Sequence, residues 1–279
     1  MVLFQEERFM AGLINEKTRI VSNARLFGKL HLMTLEAPEL AQRLAPGQFV
    51  HMKVPGMPDH VLRRPFSVYA WDRDRGAIDI LYQAVGAGST HMTALEPGAE
   101  TELIGPIGNT WHSTQGPQLP ERALLVGGGV GAAPLFEWCR ALLDSGTEVD
   151  VVLGAQTEGA LVARERYAQL LGREPFCSTD DGSYGYAGFA TGLVEERLEA
   201  GASQSGKPFG YVAVCGPAPL MRIVSGIVVE RGIACEVSLE KRMACGIGAC
   251  LSCVCDTKSN GRKRVCVDGP IFDAKEVVW

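Results

Sequence analysis

Cys245, Cys250 and Cys253 stand as C-x4-C-x2-C, and Cys266 follows after 12 intervening residues. Four thiolates at that spacing can hold metal, and two arrangements compete for them. Zinc takes a tetrahedral cage, usually built from two separate C-x2-C knuckles. A [2Fe–2S] cluster also takes four thiolates, and C-x4-C-x2-C with a distant fourth cysteine is one of its spacings. Between Cys245 and Cys250 lie only Gly246, Ile247, Gly248 and Ala249. A loop this bare can wrap a cluster closely and turn its N–H groups toward the sulfurs, which tunes the potential. The cluster is therefore the expected occupant, with zinc or unligated buried thiols as competing readings. Cys255 is a fifth thiol, on the side of Cys253 by strand alternation, and is taken as a bystander.

A second set of residues suits a phosphate-bearing ligand. "LRRPFSVYAW" carries Arg64, Pro65, Phe66 and Ser67, and "LYQAVGAGSTHM" runs from Leu81, Tyr82 and Gln83 into Gly86, Gly88 and Ser89. Glycines before a helix present unobstructed N–H groups to a pyrophosphate, and an arginine can fork onto the same phosphates. The bland alternative is a strand with a basic start.

A third set is "ALLVGGGVGAAPLFEW", with Gly127, Gly128, Gly129 and Gly131 between a strand and a helix. Glycine strings also make ordinary tight turns, but strand before and helix after suits a phosphate-binding turn. The acidic residue that often reads a ribose is not cleanly placed, because Asp150 begins the second strand rather than ending it. No arginine or lysine lies between Gly154 and Val162, which favours NAD over NADP. "VAVCGPAPLM" puts Cys215, Gly216 and Pro217 at a strand's C-terminal end, where open α/β sheets bind ligands. A buried cysteine before a helix-starting proline is the competing reading.

These sets must be held by distinct elements. The 279 residues are 46% hydrophobic and 21% charged, enough for two or three domains with real cores. Residues 1–117 alternate strand-length runs such as "GQFVHMKV" and "AIDILYQAV" with Gly, Pro and Asp turns, which predicts an antiparallel barrel. Helical periodicity is scarce there apart from "STHMTALE", and residues 114–122 read as a polar, proline-bearing linker. Residues 118–232 alternate strand and helix, which predicts a parallel α/β domain. Residues 233–279 form a small cysteine-rich module. The fold class is thus multidomain, an antiparallel β-barrel followed by α/β. "TDDGSYGYAG" is expected to be a loop over the cofactor crevice.

A formal charge of −5 argues against a broad nucleic-acid face. Apolar runs fall short of the roughly 18 residues a membrane helix needs. "MVLFQEERFMAG" shows no cleavable leader. Of the nine cysteines, Cys139, Cys177, Cys215 and Cys235 lie among apolar neighbours, as free buried thiols do. A cytoplasmic protein with one thiolate-rich site is expected.

The barrel segment resembles the ferredoxin–NADP reductase superfamily, whose Arg-x-Tyr-Ser motif binds FAD. That resemblance implies that Arg64 holds the FAD pyrophosphate, that Phe66 faces the isoalloxazine without the usual tyrosine hydroxyl, and that Ser67 bonds near flavin N5. Pro65, Leu81, Tyr82, Gln83, Gly88 and Ser89 complete the implied FAD site, and "GPIGNTW" resembles the family's turn at the end of the barrel. Gly127, Gly128, Gly129, Gly131, Gly216 and Pro217 complete the implied NAD site, with Cys215 beside the nicotinamide. Ser67 and Cys215 are the implied catalytic residues. The order of parts, with "ACGIGACLSCVC" and "RVCVDGPIFDAKEVVW", closely resembles the electron-transfer subunits of type B dihydroorotate dehydrogenases. The resemblance implies a partner, an FMN-containing dihydroorotate dehydrogenase catalytic subunit, in a heterotetramer with two of each chain. It also implies electron flow through the [2Fe–2S] cluster and FAD to NAD+ in pyrimidine biosynthesis. FAD can link the one-electron cluster to the two-electron nicotinamide. Two alternatives remain open at this point: a ferredoxin–NAD(P) reductase-type subunit of another flavoenzyme, and a zinc-bound interaction module without redox function.

Overall fold

The computed structural model describes residues 12–112, 118–204 and 207–279. Residues 1–11, where the expectation of no leader rests, and residues 113–117 of the expected linker lie outside the described residues.

The first layer is a barrel-like sheet of seven strands. They are β1 (Ile14–Phe27), β2 (Leu30–Glu36), β3 (Phe49–Met52), β4 (Arg64–Ser67), β5 (Ala70–Asp72), β6 (Ala77–Gln83) and β7 (Glu100–Ile107). Their order is β4-β3-β7-β1-β2-β6-β5, with every pair antiparallel. Alternation along β3 sends its side chains into two different cores. Val50 and Met52 enter the barrel core with Met33, Leu35, Ile80 and Leu103, whereas Phe49 joins another with Cys253, Cys266 and Val237.

Two short helices, α1 (Pro38–Arg43) and α2 (Ala87–Met92), accompany the strands. The sequence reading missed α1, because six residues are too few to show a period. It forms because Pro38 pre-sets the first turn. The Glu16 carboxylate on β1 also accepts the otherwise orphaned N–H groups of Glu39 and Leu40 at 3.0 and 2.8 Å.

The second layer is a sheet ordered β11-β10-β9-β8-β12-β13-β16. Its strands are β8 (Arg122–Gly128), β9 (Glu148–Ala155), β10 (Phe176–Thr179), β11 (Tyr186–Ala187), β12 (Tyr211–Cys215), β13 (Ala234–Ser238) and β16 (Ile271–Asp273). All pairs are parallel except β13 with β16. Helices α3 (Ala133–Asp144), α4 (Arg164–Leu171), α5 (Ala190–Gln204) and α6 (Ala218–Glu230) connect them. Every residue of β8 and β12 is buried, as strands covered on both faces require. The winding reverses between these two strands, which makes their C-terminal ends the topological switch point.

Asp150 lies away from that point, buried against Arg122 at 2.8 Å, Arg173 at 2.6 Å and Arg197 at 3.4 Å. Its role is structural. Among the described residues no helix is long and apolar enough to cross a membrane.

The expected boundary at residue 233 cuts through this sheet. β13, assigned from sequence to the small module, pairs along its whole length with β12, and β16 closes the sheet edge. What remains outside is the hairpin of β14 (Val254–Thr257) and β15 (Gly261–Arg264) with the loop before it. This piece is too small to bury a core of its own. Cys253, Cys255, Val265 and Cys266 pack instead with Phe49 and Ile107 of the barrel and Val237 of β13.

The segment leaving β7 ties the three parts together. Asn109 donates from Nδ2 to the Ile271 carbonyl at 2.9 Å and accepts the Ile271 N–H at 2.9 Å. The indole of Trp111 donates to the Pro134 carbonyl of α3 at 2.7 Å, and the His112 N–H reaches Glu236 of β13 at 2.6 Å. Replacing Asn109 with Leu strands both backbone groups of Ile271, at about 1–3 kcal/mol for each buried group left unpaired. The expected outcome is a lower urea midpoint and earlier tryptic cleavage after residue 240. An unchanged midpoint would show that the clasp contributes nothing.

Candidate functional site

A cleft of about 540 Å³ opens where the layers meet, lined by Pro65, Phe66 and Ser67 of β4, by Leu81, Tyr82 and Gln83 of β6, and by Val130. Two larger grooves, of about 710 and 820 Å³, contain none of the motif residues. They are surface hollows of the barrel and its seam with the α/β layer. The cleft's remaining wall is Ser238, Leu239 and then Glu240, Lys241, Arg242 and Met243, which lead directly into Cys245. The sequence reading missed this wall, although its position just before the first cluster cysteine was a usable signal. Glu240 lines the cleft with its side chain open to solvent, and the protein packed around it raises its carboxyl above the ordinary range.

Arg63 and Arg64, adjacent in sequence, separate completely. Arg63 is turned away to Glu102, at 2.7 Å to the carboxylate and 2.9 Å to the backbone carbonyl, and its hydrogen bond is the main reason the Glu102 carboxyl is lowered. Arg64 instead lies on the first turn of α2, so that a Cβ at Gly88 would stand 2.7 Å from its Nε. Its Nη1 donates to the Leu62 carbonyl, which holds the guanidinium there. The arginine and the N–H groups at the start of α2 thus face one place, the arrangement a pyrophosphate needs. Ser89 spends its hydroxyl internally, accepting the N–H groups of Val85 and Gly86 at 3.0 and 3.1 Å. It shapes the turn.

Phe66 meets Tyr82 edge to face at 6.0 Å, and Tyr82 stacks on His31 at 5.3 Å. The Tyr82 hydroxyl bonds to Asn23 at 3.0 Å, and burial pushes its pKa up to about 12. This neutral aromatic wall beside the Ser67 hydroxyl fits a flat ring system.

The glycine turn after β8 faces the end of β12 across almost no distance. A Cβ at Gly131 would lie 2.4 Å from the Cys215 carbonyl oxygen, and one at Gly128 would lie 2.9 Å from Pro217 Cδ. Gly216 sits at φ +153° and packs on Gly128. A side chain here would close the crevice, so this bare backbone is what lets a dinucleotide approach.

Cys215 itself is not brought into the cleft. It is 1% exposed, its Sγ lies 3.8 Å from the Ser238 carbonyl, and burial pushes its thiol far above the usual range. The thiol packs at the crevice floor between β12 and β13 and does not line the cleft. The loop of "TDDGSYGYAG" is held by Asp181, which accepts from Ser183 Oγ at 2.6 Å, and by Thr179, which donates to the Tyr184 carbonyl at 2.8 Å. Arg164 stands just past the strand end that appeared free of cations. Glu174 at 3.4 Å and Glu158 at 4.0 Å balance its charge.

The four expected ligand cysteines form two pairs. Cys253 and Cys266 have their sulfurs 3.3 Å apart, and Cys245 is hydrogen-bonded to Cys250. Among the described residues no three His, Cys, Asp or Glu side chains surround a single ion position. Two pairs suit a two-iron cluster, in which each iron takes two thiolates. The N–H groups of Ile247 and Cys250 point at Cys245 Sγ, at 3.5 and 3.4 Å. N–H bonds from Ser252 and Cys245 bring the Cys250 thiol down to about 6. Burial, by contrast, raises Cys255, which packs in the shared core. Phe49's neighbour but one on β3, His51, is fully buried beneath the loop. Desolvation and the charge of Arg63 push it down to about 4, against the pull of the Cys245 and Arg63 carbonyls.

Fold and site together define an oxidoreductase with a flavin barrel, a nicotinamide-binding layer and an iron–sulfur module. Comparison with known families agrees part by part. Residues 12–112 match the oxidoreductase FAD-binding domain, residues 125–226 the oxidoreductase NAD-binding domain, and residues 240–278 the iron–sulfur cluster binding domain of dihydroorotate dehydrogenase B. The chain is 38% identical over 265 residues to the dihydroorotate dehydrogenase B (NAD(+)) electron transfer subunit of Geobacillus thermodenitrificans, covering 94% of this chain and 98% of that one. It is 33% identical over 252 residues to that of Desulforamulus reducens, covering 89% and 92%. A solved structure of an NADH-dependent reduced ferredoxin-NADP oxidoreductase, studied for electron bifurcation, matches with a TM-score of 0.81 at 26% identity, over 94% of this chain and 90% of that one. The chain belongs to the family of dihydroorotate dehydrogenase B electron transfer subunits.

The roles expected of Arg64 and Ser67 predict different outcomes. Arg64→Ala should release FAD, because it removes a charge-assisted phosphate contact, while Ser67→Ala should keep FAD and slow NADH–flavin exchange about tenfold or less. Flavin fluorescence and stopped-flow reduction read the two, and equal losses of FAD affinity would refute the division of roles. Cys250→Ser should abolish the visible spectrum of the cluster and leave FAD in place, whereas Cys255→Ser should leave both.

Proposed function

We propose that this chain is the electron-transfer subunit of an NAD-dependent dihydroorotate dehydrogenase, working beside an FMN-bearing catalytic subunit in the cytoplasm, with two of each chain. The observation that carries the proposal is the single cleft into which the flavin strand, the glycine turn and the segment preceding Cys245 all open. When bound, FAD would supply the conversion between the single electrons that a [2Fe–2S] cluster carries and the hydride that NAD+ accepts.

In this reading Arg64 and the first turn of α2 neutralise the FAD pyrophosphate, with Pro65, Leu81 and Gln83 completing the pocket's lining. Phe66 and Tyr82 exclude water from the ring, and Ser67 holds a hydrogen bond at its reactive edge. Gly128 and Gly131 face the Cys215–Pro217 segment, and with Gly127 and Gly129 of the same turn they admit the dinucleotide beside Gly216 and Pro217. Cys245, Cys250, Cys253 and Cys266 ligate the cluster. Cys250 and Leu251 are exposed, so the cluster's outer edge opens toward a partner.

Five basic residues, Lys241, Arg242, Arg262, Lys263 and Arg264, flank the cysteine loop in sequence, and they are not equivalent. Arg264 is built into the module through Asp268 at 3.3 Å and the Gly248 carbonyl at 3.5 Å. Arg262 is largely exposed beside Asp256, and charges of this kind act mainly on encounter and orientation. Reversing Arg262 and Lys263 to glutamate should therefore weaken complex formation, more at low salt than at high, without loss of the cluster. Reversing Arg264 should cost the module its fold.

The match to the ferredoxin-NADP oxidoreductase structure favours a second reading, a reductase subunit of another flavoenzyme. Affinity purification of the native chain separates the two. Co-purification of a dihydroorotate-oxidising flavoprotein supports the first, and a different flavoprotein supports the second. The isolated chain should reduce dyes with NADH and show no activity toward dihydroorotate. Robust dihydroorotate oxidation by it alone would overturn the proposal.

A further inference from the structure

His51 is a buried polar residue that the assigned roles leave unexplained. Its side chain is fully buried, and neither ring nitrogen has a partner at hydrogen-bond geometry. Unpartnered buried polar groups are costly and rare in native structures. The surroundings say what the ring is for. His51 lies on β3 directly opposite Pro65 of the flavin strand. Because Val50 and Met52 fill the barrel core, alternation turns His51 outward, toward the cluster loop.

There it meets Gly246, whose φ is +70°, and a Cβ at that position would stand 2.6 Å from His51 Nδ1. The backbone carbonyls of Cys245 and Arg63 face the ring, outside strict hydrogen-bond geometry. One belongs to the first cluster cysteine and the other to the residue preceding Arg64. The ring therefore touches both the flavin strand's entry and the cluster loop's start.

We propose that His51 is a positioning residue for electron transfer, an imidazole that presents its N–H to the Cys245 carbonyl and seats the cluster loop against the flavin barrel. Gly246 is bare so that the loop can lie on the ring. A hydrogen bond to the peptide of a ligand cysteine draws electron density from the thiolate, so the contact also favours the reduced cluster. No proton changes hands. The proposal rests on the reading of Cys245 as a cluster ligand.

The test compares wild type, His51→Leu and His51→Gln in the full chain carrying FAD and cluster. Leu keeps the packing volume and loses the donor, while Gln keeps an N–H group. His51→Leu should leave FAD affinity within about twofold. It should also shift one-electron sharing between flavin and cluster about three- to tenfold toward the flavin, up to about 59 mV in cluster potential by electron-paramagnetic-resonance titration. Release of iron to a chelator should quicken by a similar factor, and His51→Gln should recover most of both effects. In metal-free chains, amide exchange at Gly246 and Ile247 should be faster in the Leu variant than in wild type.

Equal shifts in the Leu and Gln variants would overturn the proposal, because packing alone would then be at work. So would a Leu variant with unaltered potential and release rate. If His51→Leu fails to fold, Gly246→Ala, whose Cβ pushes the loop off the ring, must reproduce the potential shift, and an unchanged potential there overturns the proposal. A wild-type chain without an iron–sulfur spectrum would overturn the ligand reading and this one together. Normal wild type with unaltered variants would overturn this one alone.

Discussion

The cysteine-rich end of the chain has no core of its own, and its place beside the barrel and the α/β sheet depends on how it is held. Its anchor is the reciprocal pair of hydrogen bonds between the Asn109 side chain and the Ile271 backbone. Asn109 sits at the exit of the barrel, and Ile271 begins the strand that closes the α/β sheet. A backbone N–H and C=O recognised by one amide permit little sliding or rotation. Phe49, Ile107 and Val237 then bury Cys253, Cys255 and Cys266 from two sides, so the hydrophobic effect holds in place what the clasp has oriented.

Electron transfer needs cofactors close together and fixed, and separate domains would tend to move relative to one another. Here the chain shares elements instead. β16 comes from the cysteine-rich end yet completes the nicotinamide-binding sheet, and Trp111 from the barrel exit is pinned to the first turn of α3. The cleft is lined from all three parts as a consequence. Its chemistry is mixed in the same way: an aromatic wall at Phe66 and Tyr82 with the Ser67 hydroxyl between the layers, and one acid, Glu240, beside two bases, Lys241 and Arg242, on the cluster side.

Crowded backbone is the second constraint. Gly131 against Cys215 and Gly128 against Pro217 leave no room for a Cβ, and the crevice between β8 and β12 exists because of it. The same economy appears under the cluster, where Gly246 lies on His51. In both places a glycine is required by what packs on it from a distant part of the chain, in addition to its turn geometry.

Much was legible in the residues alone because it is local. The thiol spacing, the glycine turn between strand and helix, the two-residue alternation of the barrel strands and the strand–helix rhythm after them are short-range patterns. Each arises from backbone geometry that neighbouring residues impose on one another. Other features depend on partners far away in the chain, which no local pattern records. Arg63 and Arg64 carry the same side chain at adjacent positions, yet Glu102 captures one and α2 receives the other. Cys215 stands in a motif that suggests chemistry, and only the pairing of β12 with β13 buries its thiol against the Ser238 carbonyl. β13 and β16 read as parts of a small module and became sheet strands because the open sheet edge supplied their hydrogen bonds. No local pattern singles out His51, and only the folding of the cluster loop onto β3 gives it a place between that loop and the flavin strand.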